Sequence, residues 1–184
     1  MSSKATPKSL PSTLLPKLIA FDLDGTIWSP EMYELWGGGS PFSIVNPTST
    51  VKDCSGRKVN LLGESSNILH WCYENRESVV TAYVSTCDEP EWANECLNLF
   101  TTTGNVLLKD VSHSSLIYKE NKQHHFRALK KQFDLEFGDM IFFDNQMNNI
   151  RDVQKLGVFC VYCPDGMVES IWSKGFADYE KQKK

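Results

Sequence analysis

The sequence predicts an α/β protein with a Rossmann-like parallel sheet and helices on both faces of that sheet. Three apolar runs, at 18–21, 79–84 and 140–143, lack the polar alternation of a half-exposed strand. Such runs are typical of strands that are covered on both sides. The segment 122–133 instead places apolar residues at helical spacing. Strands and helices that alternate along a chain assemble into a parallel sheet.

The elements can be assigned in order along the chain. Apolar runs that end at turn residues or polar residues predict the strands, and amphipathic spacing predicts the helices. The predicted strands lie at 17–22, 79–84, 105–109, 139–143 and 158–162. The predicted helices lie at 64–76, 89–101, 122–133, 146–156 and 166–176.

Residues 28–62 interrupt this alternation. Their glycines and prolines rule out a long helix, and short β-like pieces lie near 42–45 and 57–62. At about 35 residues the segment is too small for a separate domain. We therefore expect a small β-flap insertion beside an open site and no large cap domain. Its aromatic residues could stack on a substrate ring or pack the base of the flap. These residues are Trp28, Tyr33, Trp36 and Phe42.

Length and composition favour one domain at 17–178, with a disordered arm at 1–16 and a basic tail at 179–184. The chain has 184 residues, of which 41% are hydrophobic, enough for a substantial core. Its net charge of −4 and its scattered basic residues argue against a nucleic-acid partner. No apolar stretch reaches the roughly 20 residues that cross a bilayer, so no membrane partner is expected. The arm has no apolar signal core and no arginine, which disfavours a secretory or transit peptide.

The six cysteines are irregularly spaced and do not form a disulfide framework in a chain of this size. A reducing compartment, the cytoplasm or the nucleus, is therefore expected. Cys160 and Cys163 have zinc-like spacing but no second pair, so buried or strand-end thiols are the favoured interpretation. No cysteine is followed six residues later by arginine, which excludes the phosphate-binding loop of cysteine-dependent phosphatases.

The most informative motif is Asp22-Leu-Asp24-Gly25-Thr26, at the end of the first apolar run. Carboxylates two residues apart leave one side of a strand together, at the sheet edge where open α/β folds bind ligands. Gly25 can adopt the positive φ of a sharp turn. A calcium loop does not fit, because EF-hand spacing puts Ile27 where glycine is required. For this motif alone, ordinary turn chemistry remains an alternative.

Three further polar residues end apolar runs or begin a helix: Ser85, Asp144 and Lys122. Together with the Asp-x-Asp motif, and in this chain order, they resemble the four motifs of the haloacid dehalogenase superfamily. The stretches Phe-Asp-Leu-Asp-Gly-Thr-Ile-Trp and Phe-Phe-Asp-Asn-Gln-Met-Asn-Asn-Ile look most like its magnesium-dependent phosphatase-1 family. The resemblance covers residues 17 to about 172. A response-regulator receiver is less compatible, because its acids, hydroxyl and lysine follow a different order.

Clustered carboxylates at a site for anionic esters imply a metal ion. A carboxylate and a phosphate repel each other unless a cation neutralises both, and oxygen ligands of this kind favour Mg²⁺. The resemblance implies that Asp22 is the nucleophile and forms an aspartyl-phosphate. It implies that Asp24 is the general acid and base, with a pKa raised by the neighbouring carboxylate. The side chains of Asp22 and Asp144 and the backbone carbonyl of Asp24 would hold the metal.

The resemblance assigns other residues to the substrate phosphate. Ser85 would bind phosphate oxygens by a hydrogen bond, and Lys122 would act as a point charge that also steadies the nucleophile. Thr86, beside Ser85, stands where the family usually has arginine, and Asn145 stands where it usually has a second aspartate. We therefore expect altered substrate contacts and a retuned metal site. Two more residues are expected to support the site: Thr26 and Asn149.

The predicted function is magnesium-dependent hydrolysis of phosphate monoesters. The resemblance implies two substrate classes, phosphotyrosine protein and phosphorylated sugar or sugar-amine, so the expected partner is a phosphoprotein or a phosphorylated small molecule. The alternative is a phosphate-binding or metal-binding interaction module that keeps the fold but lacks turnover. Thr86 and Asn145 are its only support in the sequence.

Overall fold

The computed structural model describes residues 14–184, which form nine strands and six α-helices. The strands are β1 (Leu18–Phe21), β2 (Trp28–Ser29), β3 (Ser43–Asn46), β4 (Thr50–Lys52), β5 (Lys58–Leu61), β6 (Val80–Ser85), β7 (Ser114–Ile117), β8 (Met140–Asp144) and β9 (Phe159–Tyr162). The helices are α1 (Ser65–Glu74), α2 (Pro90–Leu99), α3 (Leu108–Val111), α4 (Lys122–Phe133), α5 (Met147–Gln154) and α6 (Glu169–Lys183). Short 3₁₀ helices lie at Met32–Leu35 and Phe137–Asp139.

A five-stranded parallel sheet in the order β7-β6-β1-β8-β9 forms the centre of the fold. β1 pairs with β6 on one side and with β8 on the other, so Leu18 lies opposite both Val80 and Met140. All four residues of β1 are completely buried. The predicted parallel sheet is therefore confirmed, and the unbroken apolar run belongs to its central strand.

The two faces of the sheet explain why β1 shows no alternation. Ile19 and Phe21 point into one hydrophobic cluster, and Leu18 and Ala20 point into another on the opposite face. The first cluster includes residues of α1, α2, α3 and α6, and the second includes residues of α4 and α5. Because both faces are covered by helices, every position of the strand has to be apolar.

The predicted strand at 105–109 is wrong. Leu108 begins α3 instead, and both Leu108 and Val111 are buried against the core. The fifth strand is β7, which pairs with β6 at the edge of the sheet. Its sequence, Ser-Ser-Leu-Ile, carries little of the apolar signal that marks a strand, because an edge position is only partly covered.

The chain ends differ from the predicted arm and tail. Residues 1–13 of the predicted arm lie outside the described residues, but Leu15 packs against the core and Pro16 is buried. The last helix, predicted at 166–176, begins at Glu169 and continues to Lys183. The segment 179–184 is therefore mostly helical, because buried Tyr179 packs beside the sheet and donates a hydrogen bond to a backbone carbonyl. None of the helices among residues 14–184 combines the length and apolar character of a membrane span.

The insertion at 28–62 forms a small antiparallel sheet in the order β2-β5-β4-β3. Val51 and Val59 pair across β4 and β5 and are completely buried, which anchors the sheet to the core. The predicted β-flap is confirmed, with β3 and β5 near their expected positions. β4 was not predicted, because three residues are too few to show a period.

Candidate active site

Lys122 joins the carboxyl ends of two neighbouring strands. Its ammonium forms ion pairs with Asp22, just after β1, and with Asp144 Oδ2 at 2.8 Å, at the end of β8. It also donates a hydrogen bond to the carbonyl of Val84 at 2.9 Å. The lysine is at the first position of α4 because the side chain of Asn121 caps that helix and accepts a hydrogen bond from its backbone. The structure thus brings Asp22, Lys122 and Asp144 together.

Because Asp22, Lys122 and Asp144 are buried together, the pKa values of Asp22 and Lys122 depend on their neighbours. The side chains of Lys122 and Asp144 are completely buried, and that of Asp22 is 7% exposed. Burial raises the pKa of Asp22, Lys122 lowers it and Asp144 raises it, with a net value of about 7. Burial alone would lower the pKa of Lys122, but the two carboxylates raise it above its ordinary value. One ammonium thus faces two acidic side chains, and a bound cation would favour their charged forms.

Asp24 lies beside these three residues and is buried, with 8% of its surface exposed. Its carboxyl oxygens accept hydrogen bonds from Trp28 Nε1 at 2.7 Å and from the backbone N–H of Met32 at 3.2 Å. Burial raises the pKa of Asp24, and these two hydrogen bonds partly oppose the change. The direction agrees with the sequence prediction, but the main cause is burial rather than a neighbouring carboxylate.

The turn at Gly25 and Thr26 contacts both Asp22 and the residue after Asp144. Thr26 Oγ1 donates a hydrogen bond to Asp22 Oδ2 at 3.2 Å and accepts one from the backbone N–H of Asn145 at 3.0 Å. Gly25 has a φ of +75°, and a Cβ atom there would lie 2.1 Å from the side-chain nitrogen of Asn145. Thr26 therefore links the carboxyl group of Asp22 to the backbone of Asn145.

The side chain of Asp144 is held from the start of α5. Its Oδ1 accepts a hydrogen bond from the backbone N–H of Gln146 at 2.6 Å, and its Oδ2 accepts one from Asn149 Nδ2 at 3.0 Å. Asn149 is thus in direct contact with the Asp144 carboxyl group. Neutral donors of this kind orient a carboxylate without neutralising it.

A cavity of about 210 Å³ opens above the strand ends. Ser85 lines this cavity, and its hydroxyl accepts a hydrogen bond from the backbone N–H of Cys87 at 3.2 Å. Thr86 also lines it. Its remaining walls come from Asp22, Asp24, Glu31, Tyr33, Cys87, Asp88, Gln146 and Asn149. Sequence reasoning missed Glu31 and Asp88, because their position depends on the path of the flap and of the loop after β6.

The aromatic residues of the insertion divide between the two proposed roles. Trp28 and Phe42 are buried and pack the base of the flap. Tyr33 lines the cavity and is 58% exposed, whereas Trp36 is 85% exposed. Of the four, only Tyr33 is therefore both at the cavity and open to a substrate.

The residues at the site fit a magnesium ion. The carboxylates of Asp22 and Asp144 and the carbonyl of Asp24 supply hard oxygen donors, and Mg²⁺ commonly binds one or two carboxylates together with waters and substrate phosphate. Within residues 14–184, no three His, Cys, Asp or Glu side chains are grouped as a metal site. All six cysteines are free thiols.

Comparison with known proteins identifies the family. A family model for acid phosphatases matches residues 14–182. Human Magnesium-dependent phosphatase 1 is 35% identical over 176 residues, which cover 91% of this chain and 89% of that protein. The HAD-like hydrolase superfamily protein P8B7.31 of Schizosaccharomyces pombe is 30% identical over 152 residues, or 78% of this chain and 83% of that protein.

Solved structures have the same fold at low sequence identity. The N-terminal part of BF1531 from Bacteroides fragilis, which contains a phosphatase domain complexed with Mg, matches with a TM-score of 0.56 and 15% identity. The match covers 90% of this chain, which spans 40% of that one. CbbY from Rhodobacter sphaeroides, in complex with phosphate, matches with a TM-score of 0.53 and 12% identity over 80% of this chain and 86% of that one. The predicted superfamily is confirmed: the chain belongs to the acid phosphatase family of the haloacid dehalogenase-like hydrolases.

Proposed function

We propose that this protein is a magnesium-dependent phosphatase that hydrolyses phosphate monoesters through an aspartyl-phosphate on Asp22. The observation that carries the proposal is the buried ion-pair group of Asp22, Lys122 and Asp144, with Asp24 beside it in an open cavity. The similarity to a protein named Magnesium-dependent phosphatase 1 also supports it.

In the proposed first step, a carboxylate oxygen of Asp22 attacks the phosphorus atom, and the bond from phosphorus to the ester oxygen breaks. Asp24 donates its proton to the departing oxygen. In the second step, Asp24 removes a proton from water, the resulting hydroxide attacks phosphorus, and the bond to Asp22 breaks to release phosphate. Magnesium, when bound, supplies positive charge that offsets the repulsion between the phosphoryl group and the carboxylate.

The proposed role of Lys122 is mainly to hold the nucleophile. A lysine ammonium has three donors, and here they contact Asp22, Asp144 and the carbonyl of Val84. Direct binding of phosphate would require one of these contacts to open. Ser85 and Thr86 line the cavity and are the proposed hydrogen-bond donors to the phosphate oxygens.

The size of the cavity bears on the substrate class. Pockets that enclose drug-sized ligands have about 300–1,000 Å³, whereas this cavity has about 210 Å³. It therefore suits the phosphate and the first atoms of the ester, with the rest of the substrate outside, near Tyr33. Phosphotyrosine protein and phosphorylated sugar or sugar-amine are the proposed classes. A binding module without turnover remains the second candidate, since Thr86 and Asn145 depart from the family pattern.

Phosphate release tests the proposal. The substrates are p-nitrophenyl phosphate, phosphotyrosine peptides and sugar phosphates, each with Mg²⁺ and with EDTA. We expect magnesium-dependent turnover that Asp22→Asn reduces by at least about 1,000-fold. Asp110→Asn, the same substitution at an exposed position of α3, should leave the rate unchanged. Wild-type turnover by Asp22→Asn would contradict the mechanism, and a folded wild type without turnover would favour the binding module.

A further inference from the structure

The carboxyl group of Asp24 accepts two hydrogen bonds from the root of the flap. Trp28 Nε1 donates to Oδ1 at 2.7 Å, and the backbone N–H of Met32 donates to Oδ2 at 3.2 Å. Trp28 begins the insertion as part of β2, and Met32 begins its 3₁₀ helix. The insertion therefore supplies one hydrogen-bond donor to each carboxyl oxygen of Asp24, in addition to the thiol of Cys87 from the loop after β6.

The indole of Trp28 is fixed in place by its surroundings. Its side chain is completely buried and stacks on Phe100, with ring centroids 6.2 Å apart and an interplanar angle of 20°. Its backbone pairs with Leu61 of β5, and its carbonyl accepts a hydrogen bond from Gly25 at 2.8 Å, which closes the turn after Asp24. A rigid donor close to one oxygen determines the direction in which the carboxyl group points.

A second buried indole in the core lacks such a hydrogen bond. Trp172 is also buried and stacks on Phe21, yet its Nε1 has no hydrogen-bond partner among residues 14–184. The fold thus tolerates a buried indole whose N–H is unsatisfied. The donor of Trp28 is instead aimed at a carboxyl group that lines the cavity.

We infer that Trp28 is a positioning residue, whose indole N–H orients Asp24 for proton transfer to the leaving group. The inference rests on the proposed function, in which Asp24 is the general acid. An indole N–H can only donate, so it occupies one lone pair of Oδ1 and Met32 occupies one of Oδ2. The Cys87 thiol also hydrogen-bonds to this carboxyl group, and both Asp24 and Cys87 line the cavity. General acid catalysis depends on such an orientation, because the proton has to lie within hydrogen-bond reach of the leaving oxygen.

Dependence on the leaving group tests this inference. p-Nitrophenolate departs without protonation, whereas the alkoxide of glycerol phosphate requires a proton. We therefore compare kcat/KM for the two substrates in the wild type, Trp28→Phe, Trp172→Phe and Asp24→Asn. In Trp28→Phe we expect the ratio of glycerol phosphate to p-nitrophenyl phosphate to fall about tenfold. Trp172→Phe removes a buried indole without a partner, so its ratio should equal that of the wild type.

The outcomes separate this inference from the proposed function. If Asp24→Asn lowers the ratio and Trp28→Phe leaves it unchanged, or lowers both rates equally, the positioning role is wrong and the role of Asp24 stands. If Asp24→Asn also leaves the ratio unchanged, the proposed general acid is wrong and the inference fails with it. If Trp28→Phe does not fold, benzothienylalanine at position 28 replaces the N–H by sulfur at nearly constant volume. The same tenfold fall is expected.

Discussion

At the scale of single residues, Gly25 combines a backbone requirement with a steric one. Its φ of +75° disfavours any side chain, and an added Cβ would displace the Asn145 amide, which lies beside Thr26. Gly56 offers a matched control, since its φ is +88° but no atom lies within 4 Å of an added Cβ.

We expect Gly56→Ala to lower the free energy of unfolding by about 1–2 kcal/mol, because it forces a side chain into the left-handed region. Gly25→Ala should lower it more, because the added Cβ also meets the Asn145 amide. Only Gly25→Ala should also lower kcat/KM, by about tenfold, because it shifts groups that hold the nucleophile. Chemical denaturation and phosphate release measure the two effects. Equal activity of the two variants would contradict the proposed function of the turn.

Among the residues at the site, Lys122 is the one whose substitution should lower the free energy of unfolding most. Lys122→Met leaves two buried carboxylates without their cation, and removal of one partner of a buried pair costs about 3–5 kcal/mol. Lys155→Met removes an exposed lysine that pairs with Asp152, and exposed pairs contribute about 0–1 kcal/mol. Denaturant unfolding of both variants, without added metal, compares the two losses. Similar losses would show that the buried group does not hold the strand ends together.

The sequence predicted where most of these polar residues lie at the strand ends, but not all of their contacts. Asp22, Ser85, Lys122 and Asp144 could be predicted because each ends a strand or begins a helix. The contact between Trp28 and Asp24 could not be predicted, because it depends on how the turn folds back over Gly25. From the sequence, Trp28 was expected only to stack or to pack.

At the scale of elements, α6 shows how burial can extend a helix beyond its visible pattern. Tyr179 is 2% exposed, packs edge-on against Phe159 and donates a hydrogen bond to the carbonyl of Gly138 at 3.2 Å. The lysines that follow are exposed, and this pattern predicts a solvated tail.

We expect truncation after Asp178 to lower the free energy of unfolding by about 2–4 kcal/mol, as for the loss of a buried aromatic side chain. Truncation after Glu180 removes the same terminal lysines but keeps Tyr179, and should cost less than about 1 kcal/mol. Thermal and denaturant unfolding compare the two chains. Equal stability would mean that Tyr179 contributes nothing to the core.

Asp139 connects the start of β1 to the end of α6. Burial raises the pKa of Asp139, whereas the hydrogen bond and charge of Lys17 and the charge of Lys183 lower it. The lowering is the larger effect, so the net pKa is below its ordinary value. A carboxyl with a lowered pKa stabilises the fold above its unfolded pKa, and this contribution is lost as the pH falls through the folded pKa.

We therefore expect Asp139→Asn to be less stable than the wild type by up to about 1 kcal/mol near pH 7, since the pairs are partly exposed. The difference should shrink below about pH 4 and in concentrated salt. Unfolding free energies measured from pH 7 to pH 3 test this. A difference that grows as the pH falls would have the wrong sign.

At the scale of the whole molecule, the strand order explains why distant motifs meet. β1 comes first in the chain but lies between β6 and β8. Within this sheet the chain passes from β1 to β6 on one side and from β8 to β9 on the other, so a crevice opens at the carboxyl ends of β1 and β8. This arrangement brings Asp22, Ser85 and Asp144 to the same edge of the sheet. The sequence predicted the strand ends, whereas the strand order and β7 depend on pairings between distant segments.

The central claim is that Asp22 accepts the phosphoryl group covalently. The most direct measurement is rapid acid quench during turnover with magnesium, followed by borohydride reduction and peptide mass spectrometry. An aspartyl-phosphate is reduced to homoserine, so we predict homoserine at position 22 and unmodified aspartate at position 24. Turnover without modification at position 22, or modification at Asp24 instead, would contradict the account.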